Sequence, residues 1–344
     1  MGGQKLDNSR IMVADCLYFD FHAGQALDIP YPEAHDVSSS SDNRIVITGA
    51  NGHMGKKLID ALGDRPVRAI VRSNTARANL QEFIDARDLT QVDIVQCDYL
   101  DTATMAAATA SCAYLVHLVG IIKESSGNSF HRAHQETTQV LVDAICQSGI
   151  QRVCYLSLLG ADNASTNPCL ASRGHAECQL LKAGTPALIL QIPMVLGEGD
   201  YASRALQRKA MSRISFTFRG SSLEQPIYSG DVINAITTDI DRCLAGGNAS
   251  DQLLALPGPH SLSRDALTKR AAKLLGRKTT IISLPLKLGL GIAWFLEQLS
   301  SSPPVSRAML RVLDHDDNVD PLPACQQLAI ELTSLDNMLQ RTLL

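Results

Sequence analysis

The sequence predicts an α/β protein built on a doubly wound parallel sheet, followed by a smaller C-terminal α/β lobe. Three observations support this prediction. Short apolar runs alternate with helical stretches from residue 44 to residue 193, and the first run leads through a glycine-rich turn into a helix. After residue 193 the alternation gives way to loops, isolated strands and two helical stretches. Apolar runs of about five residues between helices are typical of strands covered on both faces.

The predicted elements follow from these patterns in chain order. Runs of β-branched and aliphatic residues indicate strands at 45–48, 67–71, 92–97, 113–119, 153–157 and 187–192. Helical patterns between them indicate helices at 54–62, near 76–86, near 102–110, at 130–148 and at 170–182. Two further helices are expected in the C-terminal lobe, at 263–275 and 285–299. We expect this lobe to lie over the carboxyl edge of the sheet, where ligands of open α/β sheets bind.

Composition excludes several other classes of protein. The 344 residues are 45% hydrophobic and 19% charged, with a net charge of −4, so no excess of basic residues favours nucleic acid as a partner. Nine cysteines without a CxxC pair predict reduced thiols and a cytoplasmic location. The longest apolar stretch, 284–299, is interrupted by Pro285, Lys287 and Glu297, so we expect no membrane-spanning helix.

The first 43 residues differ from the rest of the chain. Their only basic residues, Lys5 and Arg10, stand against the acidic residues Asp7, Asp15, Asp20, Asp28, Glu33, Asp36 and Asp42. This balance fits neither a mitochondrial transit peptide nor a secretory signal. We interpret residues 1–43 as a poorly ordered acidic extension that contacts the body of the protein only through residues 18–21.

The glycine-rich turn after the first strand predicts a dinucleotide site. Glycines at this spacing allow a tight turn, a close approach of the backbone to a pyrophosphate, and close packing of helix on strand. The phosphates then lie at the positive end of the helix. The expected cofactor-binding residues in this turn are Gly49, Asn51, Gly52, His53, Met54 and Gly55. The alternative is a glycine turn with a purely structural role.

The ends of the next two strands refine the expected cofactor. Arg72 follows the second strand, where a fold selective for NAD usually presents an acidic residue to the ribose hydroxyls. An arginine there suits a 2′-phosphate, so we expect NADP(H) to be preferred over NAD(H), although a solvated arginine at a strand end would look the same. Asp98, after the third strand, could bind the adenine amino group or serve as an ordinary turn residue.

With these residues in place, the chain resembles the short-chain dehydrogenase/reductase superfamily in its extended or atypical branch. The motifs Thr48-Gly49-x-x-Gly52-x-x-Gly55, Asp98, His134–Thr138, Pro193 with Gly197 and Asp200, and Tyr228–Val232 occur in the superfamily's order. The tail is similar to that of the nucleotide-binding accessory subunits of respiratory complex I and their bacterial relatives. The resemblance implies a Rossmann-type domain at 44–193 and a substrate or partner lobe at 194–344. It adds Val119, Arg173 and Pro193 to the expected cofactor contacts.

The resemblance also exposes a departure at the catalytic position. Reductases of this family use a Tyr-x-x-x-Lys dyad, in which the lysine lowers the pKa of the tyrosine that exchanges a proton with the substrate. Cys169 and Arg173 stand at these two positions here. Ser157 falls close to the family's catalytic serine, although Leu158 could occupy that place. The candidate catalytic residues are therefore Ser157, Cys169 and Arg173, as a degenerate set.

This departure leaves several functions open. We favour an accessory, assembly or redox-sensing protein with a respiratory or quinone-related partner. The alternative is an NADPH-dependent oxidoreductase of a small carbonyl or quinone-related substrate with another proton donor, and a sugar-nucleotide epimerase is less favoured. No metal site is predicted, because the pair His131 and His134 lacks further ligands at a suitable spacing. Helix 285–299 could contact a membrane peripherally, but we favour a place in the lobe's own core.

Overall fold

The computed structural model describes residues 43–344 except 147, 300–305 and 313–315. The predicted acidic extension therefore lies outside the described residues, apart from Asn43. A seven-stranded parallel sheet forms the centre, in the order β11-β6-β5-β4-β1-β2-β3. Its strands are β1 Ile45–Thr48, β2 Val67–Val71, β3 Val92–Gln96, β4 Tyr114–His117, β5 Arg152–Leu158, β6 Ala187–Ile192 and β11 Gln252–Ala255. The predicted doubly wound α/β fold is confirmed.

Helices cover both faces of this sheet. They are α1 His53–Leu62, α2 Asn74–Asp85, α3 Thr102–Thr109, α4 Thr137–Ile145, α5 Pro168–Leu181 and α7 Ser229–Leu244. Helices α1, α2 and α7 pack on one face, and α3, α4 and α5 on the other. The predicted helix 130–148 is more complex, because a π-helical segment, His131–Glu136, leads into α4.

The seventh strand comes from beyond residue 193. Strand β11 pairs in parallel with β6, with Gln252 beside Leu188. Its sequence, Gln-Leu-Leu-Ala, contains no β-branched residue, so propensity gave little signal for a strand. The boundary at 193 thus separates the consecutive part of the sheet from an edge strand supplied by the C-terminal half.

The remaining elements build the C-terminal lobe. It contains three two-stranded sheets. They pair β7 Val195–Leu196 with β10 Ile227–Tyr228, β8 Ile214–Phe218 with β13 Thr280–Leu284, and β9 Leu223–Glu224 with β12 Leu262–Ser263. The helices are α6 Tyr201–Met211, α8 Arg264–Leu274, α9 Leu286–Leu299, α10 Arg307–Val312, α11 Leu322–Leu328 and α12 Leu335–Leu343. A separate apolar core joins α6, α8 and α12.

Helix α9 differs from its sequence expectation. We expected the stretch 285–299 to complete the core of the lobe, yet α9 buries only Gly289 and Ala293. Trp294 is 52% exposed and Phe295 is 57% exposed. The expectation is wrong because apolar content alone does not tell whether a neighbour covers the apolar side of a helix. In the described part of the chain, no helix is both long and apolar enough to cross a membrane.

A buried ion pair ties α7 to the amino ends of the central strands. The Nε of Arg152 lies 2.7 Å from Oδ2 of Asp239, and both side chains are at most 4% exposed. The hydroxyl of Tyr114 donates to the same carboxylate oxygen at 2.5 Å. Arg152 also donates to the carbonyl of Ser250 and the side chain of Gln252. These bonds satisfy the buried charges at the edge of the sheet opposite the glycine turn.

Candidate nucleotide-binding and active site

The turn between β1 and α1 requires glycine at two positions for different reasons. Gly49 has a φ of +73°, and a Cβ there would lie 3.1 Å from the carbonyl carbon of Leu118 at the end of β4. A Cβ at Gly55 would overlap the backbone of Ala50, so this glycine lets α1 pack closely on the strand. The turn therefore has the geometry that its spacing predicts.

The amino terminus of α1 faces the carboxyl edge of the sheet without a capping side chain. Gly52 is the N-cap residue, and no side chain accepts a hydrogen bond from the first turn. This leaves the positive end of the helix dipole available to an anion. His53 and Lys57 turn instead toward the C-terminal lobe, where they bind the backbone and the carboxylate of Glu198.

Tyr99 holds the glycine turn in place through hydrogen bonds. The sequence did not predict this role. Its hydroxyl accepts a hydrogen bond from the backbone N–H of Gly49 at 2.8 Å and donates to the carbonyl of Ile70 at 2.8 Å. Burial raises its pKa, so the phenol stays protonated. The only signal in the sequence is an aromatic residue directly after Asp98, and aromatic residues at strand ends are too common to assign such a role.

A cavity of about 660 Å³ opens beside the turn, within the range of small-molecule sites. Six of the predicted cofactor contacts line it: Gly49, Asn51, Gly52, Arg72, Asp98 and Val119. The loop after β4 contributes Gly120, Gly127 and Asn128, and the π-helical segment contributes Arg132; none of these was a predicted cofactor contact. The other predicted contacts lie outside the lining: Met54 packs against the core, and Pro193 is buried at the end of β6.

The side chains of Arg72 and Asp98 are both exposed but differ in their local contacts. Arg72 is exposed at the cavity rim, directly after β2. Asp98 is also exposed, but its carboxylate accepts a hydrogen bond from the N–H of Leu100 at 3.0 Å, as in an ordinary aspartate turn. Arg72 is thus exposed at the cavity, whereas Asp98 has a local structural partner.

These features fit a nicotinamide dinucleotide. The glycines leave the backbone bare, the end of α1 offers a positive potential to a pyrophosphate, and the cavity has room for the rest of the molecule. Gly49 and Gly52 would hold the pyrophosphate, with Arg72 at the adenosine end. When bound, such a cofactor supplies or accepts a hydride.

Cys169 is an inert thiol in this structure. It lies in the first turn of α5, where its N–H donates to the side chain of Asn167 at 2.9 Å. Its thiol points at the carbonyl of Ile121, 3.7 Å away, and burial raises its pKa to about 11. A protonated, hydrogen-bonded thiol is neither a nucleophile nor a ready proton donor near neutral pH.

Arg173 lies one turn further along α5 and reaches the cavity wall. It is buried, and its Nη1 donates to the hydroxyl of Tyr155 at 2.9 Å and to the carbonyl of Leu156 at 2.8 Å. A Cβ added at Gly120 would overlap Nη2 of Arg173, which places that end of the guanidinium directly beneath the cavity lining. Arg173 can therefore donate hydrogen bonds at the wall, and a guanidinium offers donors but no acceptor.

The two histidines considered as a metal pair lie in different environments. His131 is exposed and contacts the carboxylate of Glu136. His134 is buried, where burial and the charge of Arg173 lower its pKa to about 3. Its Nε2 accepts from the N–H of Ile121 at 3.0 Å, so Nδ1 carries the proton and donates to Ser172 at 2.7 Å. His134 is thus a neutral structural residue.

Ser157 and Glu177 are two further buried polar residues near the site. Ser157 is buried at the end of β5, on the side that faces α5. Glu177 accepts hydrogen bonds from Nε2 of Gln191 at 3.0 and 3.1 Å. Burial raises the pKa of Glu177 to about 7, although the neighbouring Ser157 and Gln191 side chains oppose this shift. A carboxyl with this pKa exchanges its proton in the neutral range.

Comparison with known proteins agrees with this geometry. A protein family described as NAD(P)H-binding matches residues 49–184, which span the glycine turn, the cavity and α5. Residues 49–184 therefore resemble an NAD(P)H-binding domain. The resemblance to the atypical short-chain dehydrogenase/reductase superfamily and to complex I subunits is confirmed, as the relatives below illustrate.

Relatives of known name and solved structures extend this result. The chain is 27% identical to a ceramide reductase of Caulobacter vibrioides over 70% of this chain and 73% of that protein. It is 23% identical to the mouse mitochondrial NADH dehydrogenase [ubiquinone] 1 alpha subcomplex subunit 9, covering 87% and 79% of the two chains. A triphenylmethane reductase of Citrobacter superimposes with a TM-score of 0.67 at 17% identity, covering 87% of this chain and 99% of that one. At this identity the structural match concerns the fold.

Proposed function

We propose that the protein binds NADP(H) without reducing simple carbonyl substrates, and acts as a nucleotide-binding accessory, assembly or redox-sensing protein in the cytoplasm. The observation that carries this proposal is the state of Cys169. Where the resemblance expects a phenol with a lowered pKa, the chain has a buried thiol with a pKa of about 11, bonded to the carbonyl of Ile121. The names of the complex I relatives support a respiratory or quinone-related partner.

Arg173 supports the binding half of this proposal. Its guanidinium reaches the wall of the cavity at Gly120, where it could donate to the nicotinamide ribose as the family's lysine does. Its hydrogen bonds to the hydroxyl of Tyr155 and the carbonyl of Leu156 hold the guanidinium in this position. Cofactor binding is therefore retained at a site that lacks the usual proton donor.

The test compares the natural protein with a restored dyad. We expect any nucleotide retained on purification to be identified by mass spectrometry as NADP(H), and no oxidation of NADPH with a panel of carbonyls and quinones. The double variant Cys169→Tyr with Arg173→Lys should change NADPH affinity little. Cys146→Tyr, at an exposed cysteine, is the matched control. Saturable oxidation of NADPH by the natural protein with any defined substrate would overturn the binding role.

The preference for NADP(H) rests on Arg72. No carboxylate follows β2, and a charge-assisted hydrogen bond from Arg72 to a 2′-phosphate contributes about 1.5–3 kcal/mol, or roughly ten- to hundredfold in affinity. Calorimetric titration of Arg72→Ala should abolish the difference between NADPH and NADH. Arg132→Ala removes another arginine of the same cavity and should leave their ratio unchanged. A preference that survives Arg72→Ala would contradict the assignment.

A second candidate function is supported by Glu177. An NADPH-dependent oxidoreductase needs a group that gives up a proton near neutral pH, and Glu177, with its pKa of about 7, is such a group. The name of the ceramide reductase relative favours this candidate. If turnover is found, Glu177→Gln should abolish its pH dependence near 7, whereas Cys169→Ala should leave the rate nearly unchanged. An epimerase is less favoured, because it needs the same missing phenol.

A further inference from the structure

The strand pair β8–β13 carries apolar side chains on its outer side. Ile214 and Phe216 are exposed, the latter by 60%, while the alternating Ser215 and Thr217 are buried. Ile282 of β13 stands beside Phe216 in the parallel register and is also exposed. Side chains alternate along a strand, so β8 turns its polar side chains inward and its apolar side chains outward, with Ile282 of β13 on the same outer side. Such an inversion indicates that something other than water covers the outer side.

Helix α9 continues this apolar surface. Leu288, Ile292, Phe295 and Leu299 are exposed at positions i, i+4, i+7 and i+11, so they form one stripe along the helix. The opposite side of α9 packs on β8, because a Cβ at Gly289 would lie 2.9 Å from the ring of Phe218.

The strand pair and the helix thus form one surface. Phe218 and Phe216 lie on the same side of β8, so α9, which packs on Phe218, lies on the side of the strand that carries the exposed residues. We define the apolar face as Ile214, Phe216, Ile282, Leu288, Ile292, Phe295 and Leu299, with the exposed Trp294 at its flank.

Basic residues border this face. Residues 201–220 contain five basic residues and no acidic one: Arg204, Arg208, Lys209, Arg213 and Arg219. Residues 264–288 contain Asp265 as their only acidic residue, against Arg264, Lys269, Arg270, Lys273, Arg277, Lys278 and Lys287. Arg219, Arg264 and Arg270 form ion pairs with acidic residues of other segments. The two segments still carry an excess of basic residues in a chain whose net charge is −4.

Three of these residues adjoin the apolar face directly. Arg213 precedes β8, and Arg277 and Lys278 precede β13, and all three are exposed. The two strands are parallel and begin side by side, since the N–H of Thr280 donates to the carbonyl of Arg213 at 2.9 Å. The three cations therefore lie together at one end of the apolar face.

We propose that the apolar face and its basic border bind the surface of an anionic lipid bilayer. Apolar and aromatic side chains enter the boundary between headgroups and acyl chains, and Lys and Arg beside them attract anionic headgroups. A tryptophan at the flank suits the headgroup level of a membrane. A nucleic acid would use the basic residues but would leave the apolar stripe of α9 exposed to water. Charge complementarity together with the apolar stripe thus selects a lipid surface.

The proposed membrane surface is linked to the candidate active site. Arg307, at the start of α10, donates from its N–H and its Nε to the carboxylate of Glu297 on α9 at 2.7 and 2.6 Å. The side chain of Asn167, which caps α5 at Cys169, donates to the carbonyl of Ala308 at 3.2 Å. Docking through α9 would therefore bring the Cys169 end of the cavity close to the bilayer.

The test uses the whole protein and lipid vesicles. We expect flotation with vesicles of equimolar phosphatidylglycerol and phosphatidylcholine, little flotation with phosphatidylcholine alone, and weaker binding as salt rises. Trp294 is the only tryptophan in the chain, so its emission should shift to the blue on binding and be quenched by brominated acyl chains.

Variants then separate the two parts of the surface. Leu288→Asp and Phe295→Asp should each weaken vesicle binding about tenfold or more, because each removes a side chain that would be buried in the lipid. Arg277→Glu with Lys278→Glu should weaken binding to anionic vesicles further, by about fivefold or more for each charge. Leu322→Asp changes a leucine that is 61% exposed outside the apolar face, and should leave binding unchanged.

Several results would overturn the proposal. These are absence of flotation with anionic vesicles, equal flotation with neutral ones, or binding that survives Phe295→Asp. A dimer in solution that Phe295→Asp converts to a monomer would assign the face to a second copy of this chain. NADPH affinity, measured on the same variants, should be unchanged, which shows that they fold and separates this test from that of the nucleotide site.

Discussion

The raised pKa of Glu177 can be tested by measuring how protein stability depends on pH. Its carboxyl group is only 4% exposed and accepts hydrogen bonds from Gln191, yet burial raises its pKa from an ordinary value of 4.5 to about 7. The substitution Glu177→Gln removes the titrating group while keeping the shape of the side chain. The structure therefore predicts a difference in stability between the two proteins that depends on pH.

The sign and size of this difference follow from proton linkage. Between pH 4.5 and pH 7 the folded state holds the Glu177 proton and the unfolded state releases it, so the unfolding free energy falls as pH rises. Below this window both states are protonated and the cost is absent, and above it the cost is complete. A shift of about two and a half pKa units corresponds to about 3 kcal/mol. The wild-type protein should lose this amount relative to Glu177→Gln between pH 4.5 and pH 7.

The assay is urea unfolding of both proteins at closely spaced pH values, followed by circular dichroism. Comparing them removes the contributions of all other titrating groups, since these are shared. Glu82→Gln, on the exposed side of α2, serves as the control and should follow the wild type at every pH. A difference between wild type and Glu177→Gln that stays constant across the window would refute the buried, proton-binding carboxyl.

Other consequences can be measured in parallel. Gly52→Val should stay folded by circular dichroism but lose nucleotide binding. Gly55→Val should also lower the melting temperature, because its side chain would meet the Ala50 backbone. Equal melting temperatures for the two variants would contradict the packing role of Gly55. Asp239→Asn should lower the unfolding free energy by about 3–5 kcal/mol, since it leaves Arg152 buried without its counter-charge, and a loss below 1 kcal/mol would disprove the buried pair. The stability of the wild type relative to His134→Asn should fall as pH drops from 6.5 toward 3, where only the unfolded histidine is protonated; a flat difference would mean that His134 is not held neutral.

The nucleotide turn could be predicted because its determinants are local. The strand, the glycines and the helix that follows are contiguous, and the positive φ of Gly49 and the close packing at Gly55 depend on neighbours within a few residues. The strands of the central sheet were predictable for a similar reason, since being covered on both faces forces a continuous apolar run. Strand β11 was not predicted, because it lies at the edge of the sheet and contains no β-branched residue.

The contacts of distant residues could not be predicted. Tyr99 supports Gly49 across 50 positions of sequence, and Arg173 reaches Gly120 across the top of the sheet. Neither contact leaves a local pattern, because each depends on where two separate elements meet in three dimensions. The exposure of α9 is a further case: its sequence is apolar, but only the packed structure tells which side of the helix is covered.

The polar groups around Cys169 hold the first turn of α5 in place at the position where the family resemblance implies a tyrosine. Ser172 donates to the carbonyl of Cys169 at 2.9 Å, and neutral His134 joins Ser172 to the N–H of Ile121. The thiol itself contacts the carbonyl of Ile121. Every one of these bonds is internal, so the first turn of α5 is held in place without a group directed at a substrate. Arg173, by contrast, keeps one end of its guanidinium at the cavity wall. Under the proposed function, this helix would contact the cofactor through Arg173 without a proton donor at Cys169.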